Sequence, residues 1–251
     1  MTLPRHPVRY GQQSALKEPA VKSVINDQAD GLRRLMALSS GRRVTLIGGD
    51  YADIAMVIQN LAAALVQEGK DVRVVDEHSH HQMPVAPSAG RMELIHAAMD
   101  VHGALTQRAV LADHVVVVLK ANAAAIQASY ACIKRLNSTY ALECVRVLVN
   151  GAANAAEAQR ILDNLAHVGR RYLSLALEPA GWVRADPYLV RSKRLNVAVV
   201  DAFGSSQAAM DYQQVAKNIL QWPKRPVNHL HGAQRSDTAA GPQWTCESAL
   251  H

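Results

Sequence analysis

Val44-Thr45-Leu46-Ile47-Gly48-Gly49-Asp50-Tyr51-Ala52-Asp53-Ile54-Ala55, continued by Asn60-Leu61-Ala62-Ala63-Ala64-Leu65, is the stretch that decides the fold. A β-branched strand passes through a glycine pair into a helix, the geometry that aims backbone N–H groups and a helix N-terminus at phosphate. The side chains for that chemistry are missing. A phosphate-binding loop of this kind needs a Lys for the β- and γ-phosphates and a Ser or Thr hydroxyl for magnesium. Counted from Asn60-Leu61-Ala62, those positions hold Ile54 and Ala55. Asp50 and Asp53 place negative charge where a nucleotide would bring its own, so repulsion opposes phosphate.

Outward from this stretch, strand and helix signals alternate. Strands are expected at 44–47, 72–76, 115–119, 145–150, 172–175, 180–183 and 198–200. Helices are expected at 54–68, 123–136 and 155–168. Continuous apolar runs such as Val115-Val116-Val117-Val118 suit a parallel sheet covered on both faces. The expected fold class is therefore α/β, a doubly wound and mostly parallel sheet. Met210, Val215, Ile219, Leu220 and Trp222 are expected to close its core.

The flanks differ in composition. Residues 1–20 are polar and broken by Pro4, Pro7 and Pro19, and are expected to form a disordered leader. In 21–38, Val21, Val24, Ile25, Leu32, Leu35 and Met36 follow the spacing of an amphipathic helix interrupted by Gly31, with Arg33 and Arg34 in its second half. The α/β domain is assigned to 41–222. Pro223 and Pro226 stop the last helix, and 223–251, rich in Gly, Ser, His and Gln, is expected to be a disordered tail.

The chain has 251 residues, 49% of them apolar, enough for one substantial core, and a formal net charge of +6 that favours acidic partners without deciding among them. Cys132, Cys144 and Cys246 are odd in number and widely spaced, which argues against a disulfide framework or a zinc knuckle and suits a reducing compartment. No stretch has the apolar length to span a bilayer, and the first residues lack the apolar core of a signal peptide, so a cytoplasmic protein is expected.

Asp27-Gln28-Ala29-Asp30-Gly31-Leu32-Arg33 resembles the N-terminal activation motif of the flagellar-number regulators FlhG (also called FleN), which are MinD/ParA-like proteins. The similarity continues with Asn60-Leu61-Ala62 after the loop, Val72-Arg73-Val74-Val75-Asp76 as a second strand, Ile126 with Tyr130-Ala131-Cys132-Ile133-Lys134 in a helix, Asn150 at the end of a strand, and 187–203 before the last helix. In such proteins the position of Asn150 lies on the adenine side of the nucleotide.

The departures point one way. The signature lysine near the loop's start falls on Gly49. Of the Asp-x-Asp pair that follows the second strand, Asp76 remains but His78 stands where the water-orienting carboxylate would be. The segment between His78 and Asp113 is short, and Asp100-Val101-His102-Gly103 is at most a remnant of the second switch. Gly48, Gly49, Ile54, Ala55, Asp76 and Asn150 thus outline a degenerate nucleotide site. A protein that does not hydrolyse ATP is expected, with no cofactor and with ATP and magnesium binding lost.

The resemblance implies a regulator of flagellar number or placement that binds and stimulates the signal-recognition-type GTPase FlhF. The partner-binding residues would be Asp27, Gln28, Gly31, Leu32 and Arg33. The helix would dock its apolar face in a groove of the GTPase, Gln28 orienting a water and Arg33 steadying phosphate charge. A flagellar transcription activator or switch protein is a further implied partner, and recruitment to the cell pole a further expectation. A monomer or weak dimer is expected, with membrane attachment weak or indirect and nucleic acid no partner. The alternatives are a weakly ATP-binding MinD/ParA-type ATPase and a basic scaffold that binds DNA or lipid. Glu77, His78, His80 and His81 crowd one loop but lack the spaced second pair of a structural site, so no metal is expected.

Overall fold

A computed structural model describes residues 41–49, 53–79, 90–142 and 144–223. Six strands, β1 (Arg43–Gly48), β2 (Val72–Asp76), β3 (Met92–His96), β4 (His114–Lys120), β5 (Cys144–Ala152) and β6 (Ala176–Arg184), form one sheet in the order β2-β3-β1-β4-β5-β6. Every pairing is parallel. Between and after the strands come α1 (Ile54–Gln67), α2 (Gln107–Val110), α3 (Ala123–Tyr140), α4 (Ala155–Leu173), α5 (Pro187–Leu195), α6 (Val199–Ala202) and α7 (Gln207–Gln221).

Strand periodicity divides the core into two layers. Val116 and Val118 of β4 join Leu46, Leu61 of α1, and Tyr212 and Val215 of α7 on one face. Val115 and Val117 point the other way, to Cys132, Ile133 and Leu136 of α3, and Leu119 meets Leu162 and Leu165 of α4. An unbroken valine run is what a strand needs when both its faces are covered. Each large apolar side chain buried in this way contributes about 1.5–3 kcal/mol relative to exposure.

Short polar residues start the helices. Asn122 Oδ1 accepts from Ala125 N at 2.9 Å ahead of α3, and Asn154 Oδ1 from Glu157 N at 2.9 Å ahead of α4. Asp186 caps α5, whose first residue is Pro187, placed where a missing N–H costs nothing.

Three expectations need correction. Residues 172–175 are not a strand: α4 continues to Leu173, Ser174 ends it in the left-handed conformation, and only then does β6 begin. A short apolar run is equally compatible with the buried end of a helix. Residues 198–200 are not a strand either, since α6 starts at Val199, whose N–H donates to Asn60 Oδ1 at 2.6 Å. Met210 does not close the core but is 44% exposed, whereas Val215 and Ile219 are buried. One strand lies where no strand was expected. β3, Met92-Glu93-Leu94-Ile95-His96, inserts between β1 and β2, and its buried Glu93 pairs with Arg43 at 3.2 Å. The short middle segment therefore still supplies a strand beside β1.

The two ends of the domain meet below the sheet. Arg42, just before β1, donates from Nη1 to the Ile219 carbonyl and from Nη2 to the Trp222 carbonyl at 2.8 Å. Trp222 in turn packs edge-on to His114 at 5.1 Å and lies 4.5 Å from the Arg146 guanidinium. Among the described residues no helix is long and apolar enough to cross a membrane.

Candidate functional site

A cleft of about 400 Å³ opens at the carboxyl ends of β1 and β3, the edge of a doubly wound sheet where ligands bind. Gly48, Gly49, Asp53 and Ile54 form one wall, His78 and His96 another, and Asp100 and Arg135 lie at it too. Of the degenerate nucleotide residues, Gly48, Gly49 and Ile54 line the cleft. Ala55 is exposed on the first turn of α1, and Asp76 is half-buried at the end of β2. Asn150 is buried in β5, with Oδ1 lacking a partner among the described residues. Asp50 and the motif residues Asp27, Gln28, Gly31, Leu32 and Arg33 lie outside the described residues.

Two contacts fix the two sides of the loop. A side chain at Gly49 would meet Ala128 Cβ of α3 at 2.7 Å, so the backbone sits where a lysine could not. Asp53 occupies the N-cap position of α1 with φ 50°, and its side chain makes no capping bond. Instead its carboxylate pairs with Lys193 of α5, with Nζ 3.1 Å from Oδ2. A carboxylate at a helix N-terminus takes up the favourable field that a bound anion would use. The lysine and hydroxyl positions are apolar, and the loop's own anion already holds a cation.

Asp76 and His96 are register partners across β2 and β3. Asp76 Oδ1 accepts from His96 Nδ1 at 3.0 Å and from His78 N at 3.1 Å. His78 Nε2 donates to the Ala97 carbonyl at 3.2 Å, and the two imidazoles meet at a tilt of 48° with centroids 4.4 Å apart. Burial, and next to it the neighbouring His78, push the His96 pKa below its ordinary value, against the opposing pull of Asp76. His96 escaped sequence reasoning because β3 did; a histidine ending an apolar run was the available signal. Glu77 is committed to structure, since its carboxylate accepts from Ala98 N at 3.2 Å and from the Thr106 hydroxyl. Asp100 closes a turn by accepting from the backbone of His102 and Ala104, and the amides, Ala104 first, lower its pKa.

Asn60, Leu61 and Ala62 have structural duties. Asn60 Nδ2 donates to the Met56 carbonyl at 2.8 Å while its Oδ1 holds the start of α6. Arg191 and Lys193 are exposed on α5, where Arg191 stacks 5.2 Å from the Tyr188 ring and Lys193 is the partner of Asp53.

Comparison with known proteins bears on the fold. No family model matches the chain. The antiactivator FleN of Pseudomonas aeruginosa is 31% identical over 121 residues, a match covering 47% of this chain and 43% of FleN, so the chain spans less than half of that relative's length. Among solved structures, the MinD cell division protein of Aquifex aeolicus superposes with a TM-score of 0.53 at 12% identity, covering 74% of this chain and 100% of MinD. MinD of Pyrococcus horikoshii, solved with Mg-ADP, gives 0.52 at 10% identity over 72% of this chain and 96% of that one. The MinC:MinD complex of Aquifex aeolicus gives 0.55 at 13% identity, with 72% and 96% covered. The chain thus has a MinD-like α/β fold and is similar in sequence to the antiactivator FleN.

Proposed function

We propose that this chain is a non-hydrolysing regulator of the FlhG/FleN type, acting on flagellar number or placement through protein contact. The observation that carries the reading is the cleft in which Asp53 and Lys193 pair at the head of α1 while Gly49 packs on Ala128. A site arranged in this way leaves regulation to surfaces that need no bound nucleotide. Similarity to a protein named an antiactivator supports a regulatory role and suggests a transcription activator as one partner. The Asp27–Arg33 motif suggests the other, an FlhF-type GTPase, with Gln28 orienting water and Arg33 steadying developing phosphate charge.

The test is GTP hydrolysis by the FlhF-type GTPase of the same organism with and without the full chain, next to titration of the chain with magnesium ATP. Stimulation that Gln28→Ala removes, together with no ATP binding, is the expected result. Equal stimulation by wild type and Gln28→Ala, or none from either, would overturn the GTPase reading. A second reading, weak ATP binding, rests on the buried and unpartnered Asn150 Oδ1, and the ATP titration measures it directly.

A further inference from the structure

From the convergence of Asp76, His78 and His96 beside the cleft, we propose that the chain holds a divalent transition ion of the zinc class there. One carboxylate oxygen and one nitrogen from each imidazole lie within 4.8 Å of one another. Two histidines and a carboxylate form the ligand set of open, three-coordinate protein sites, and imidazole selects zinc, cobalt or nickel over magnesium. The proposal is independent of the regulator reading.

The surroundings suit a ligand set. His78 gives its Nε2–H to the Ala97 carbonyl, which leaves Nδ1 with a lone pair; a ligating histidine is oriented by such a backbone acceptor. His96 Nδ1 lies 3.0 Å from Asp76 Oδ1, and in the tautomer that carries its proton on Nε2 it offers Nδ1 to an ion shared with that carboxylate, the ion replacing the hydrogen bond. Asp76 and His96 sit on paired strands, so two of the three ligands are set by sheet register, and His78 follows two residues beyond Asp76. The cleft leaves a further position open to water or to a group from a partner. With two neutral imidazoles and one carboxylate the donor set carries a single negative charge, which a dication reverses, so a bound ion would present positive charge to the cleft.

From the sequence, Glu77, His78, His80 and His81 were weighed as ligands and no metal was expected. The structure substitutes His96, twenty residues away from Asp76 along the chain but beside it across the sheet. The experiment is calorimetric titration of the full chain with zinc chloride, repeated with magnesium chloride, and with cobalt binding followed by its visible absorption. The variants are His96→Gln, His78→Ala and the paired control His80→Ala with His81→Ala, each checked by thermal melting. One equivalent of zinc is expected, with no matching magnesium affinity. His96→Gln and His78→Ala should each weaken binding by at least the roughly ten- to hundred-fold that loss of an outer-sphere partner costs, and the control should not. His78 is exposed, and thermal melting reads whether its replacement leaves the fold intact. Undiminished zinc affinity in His96→Gln, loss of binding in the loop control, or no zinc binding at all would each overturn the site.

Discussion

Lys193 on α5 reaches across to Asp53 at the head of α1, placing Nζ 3.1 Å from one carboxylate oxygen and 3.3 Å from the other. The anion at the head of α1 thereby has its counter-charge on α5. The Lys193 side chain is 61% exposed and Asp53 26%, so solvent screens the pair. Lys193→Ala is expected to change stability by no more than about 1 kcal/mol in urea unfolding. The same variant should show no gain in magnesium ATP binding, because Asp53 would then repel phosphate without a partner. A gain would mean that Lys193 had been the block.

The contact of Gly49 with Ala128 sets a steric limit on the loop. Gly49→Ala is expected to destabilise by roughly 1–3 kcal/mol, since its Cβ would fall 2.7 Å from that of Ala128. In an Ala128→Gly background the cost of Gly49→Ala should shrink by about 0.5 kcal/mol or more. Equal costs in both backgrounds would show that the loop moves freely. Installing Lys at 49 and 54 and Thr at 55 together is expected not to create an ATP site, for the same reason of space.

Below the sheet, His114 gives a pH dependence with a definite sign. Burial, then Arg146, then Arg42 push its pKa down from 6.5 to about 3. Arg146 Nη1 lies 2.9 Å from Nδ1, and a guanidinium can only donate, so Nδ1 accepts and the ring is neutral. The unfolded chain binds this proton below about pH 6.5 and the folded chain does not, so the stability is present above that pH and is lost as pH falls toward 3. This group should remove about 2 kcal/mol between pH 7 and pH 5. Urea midpoints at the two pH values should therefore fall less for His114→Gln than for wild type. Parallel declines would refute the assignment.

How far the sequence was legible follows from which signals are local. β1, β2 and β4 show as β-branched runs, and α1 begins at Ile54 as expected, because glycine turns and apolar period are written into adjacent residues. β3 was not legible. Its five residues include Glu93 and His96, and what makes Glu93 acceptable in the sheet is Arg43 on the neighbouring strand. The end of α4 was misread because Leu173 and Leu175 are apolar in either conformation. At the cleft, the apolar residues Ile54 and Ala55 at the start of α1 were legible as such. The reason Gly49 stays a glycine was not, since Ala128 lies on a helix that only the fold brings near. His96 was hidden in the same way as its strand.

Arg42 ties the first residues of the α/β domain to its last helix across an interval of about 180 positions, with bonds to Ile219 and Trp222. Seen as a path, the domain is nearly a closed circuit, and its entry and exit stand together at the end of the sheet away from the cleft. A chain recut in the loop after β2, with Trp222 joined to Gly41 by a short linker, would keep every sheet pairing described above. The present order of strands along the chain is then only one way of cutting that circuit.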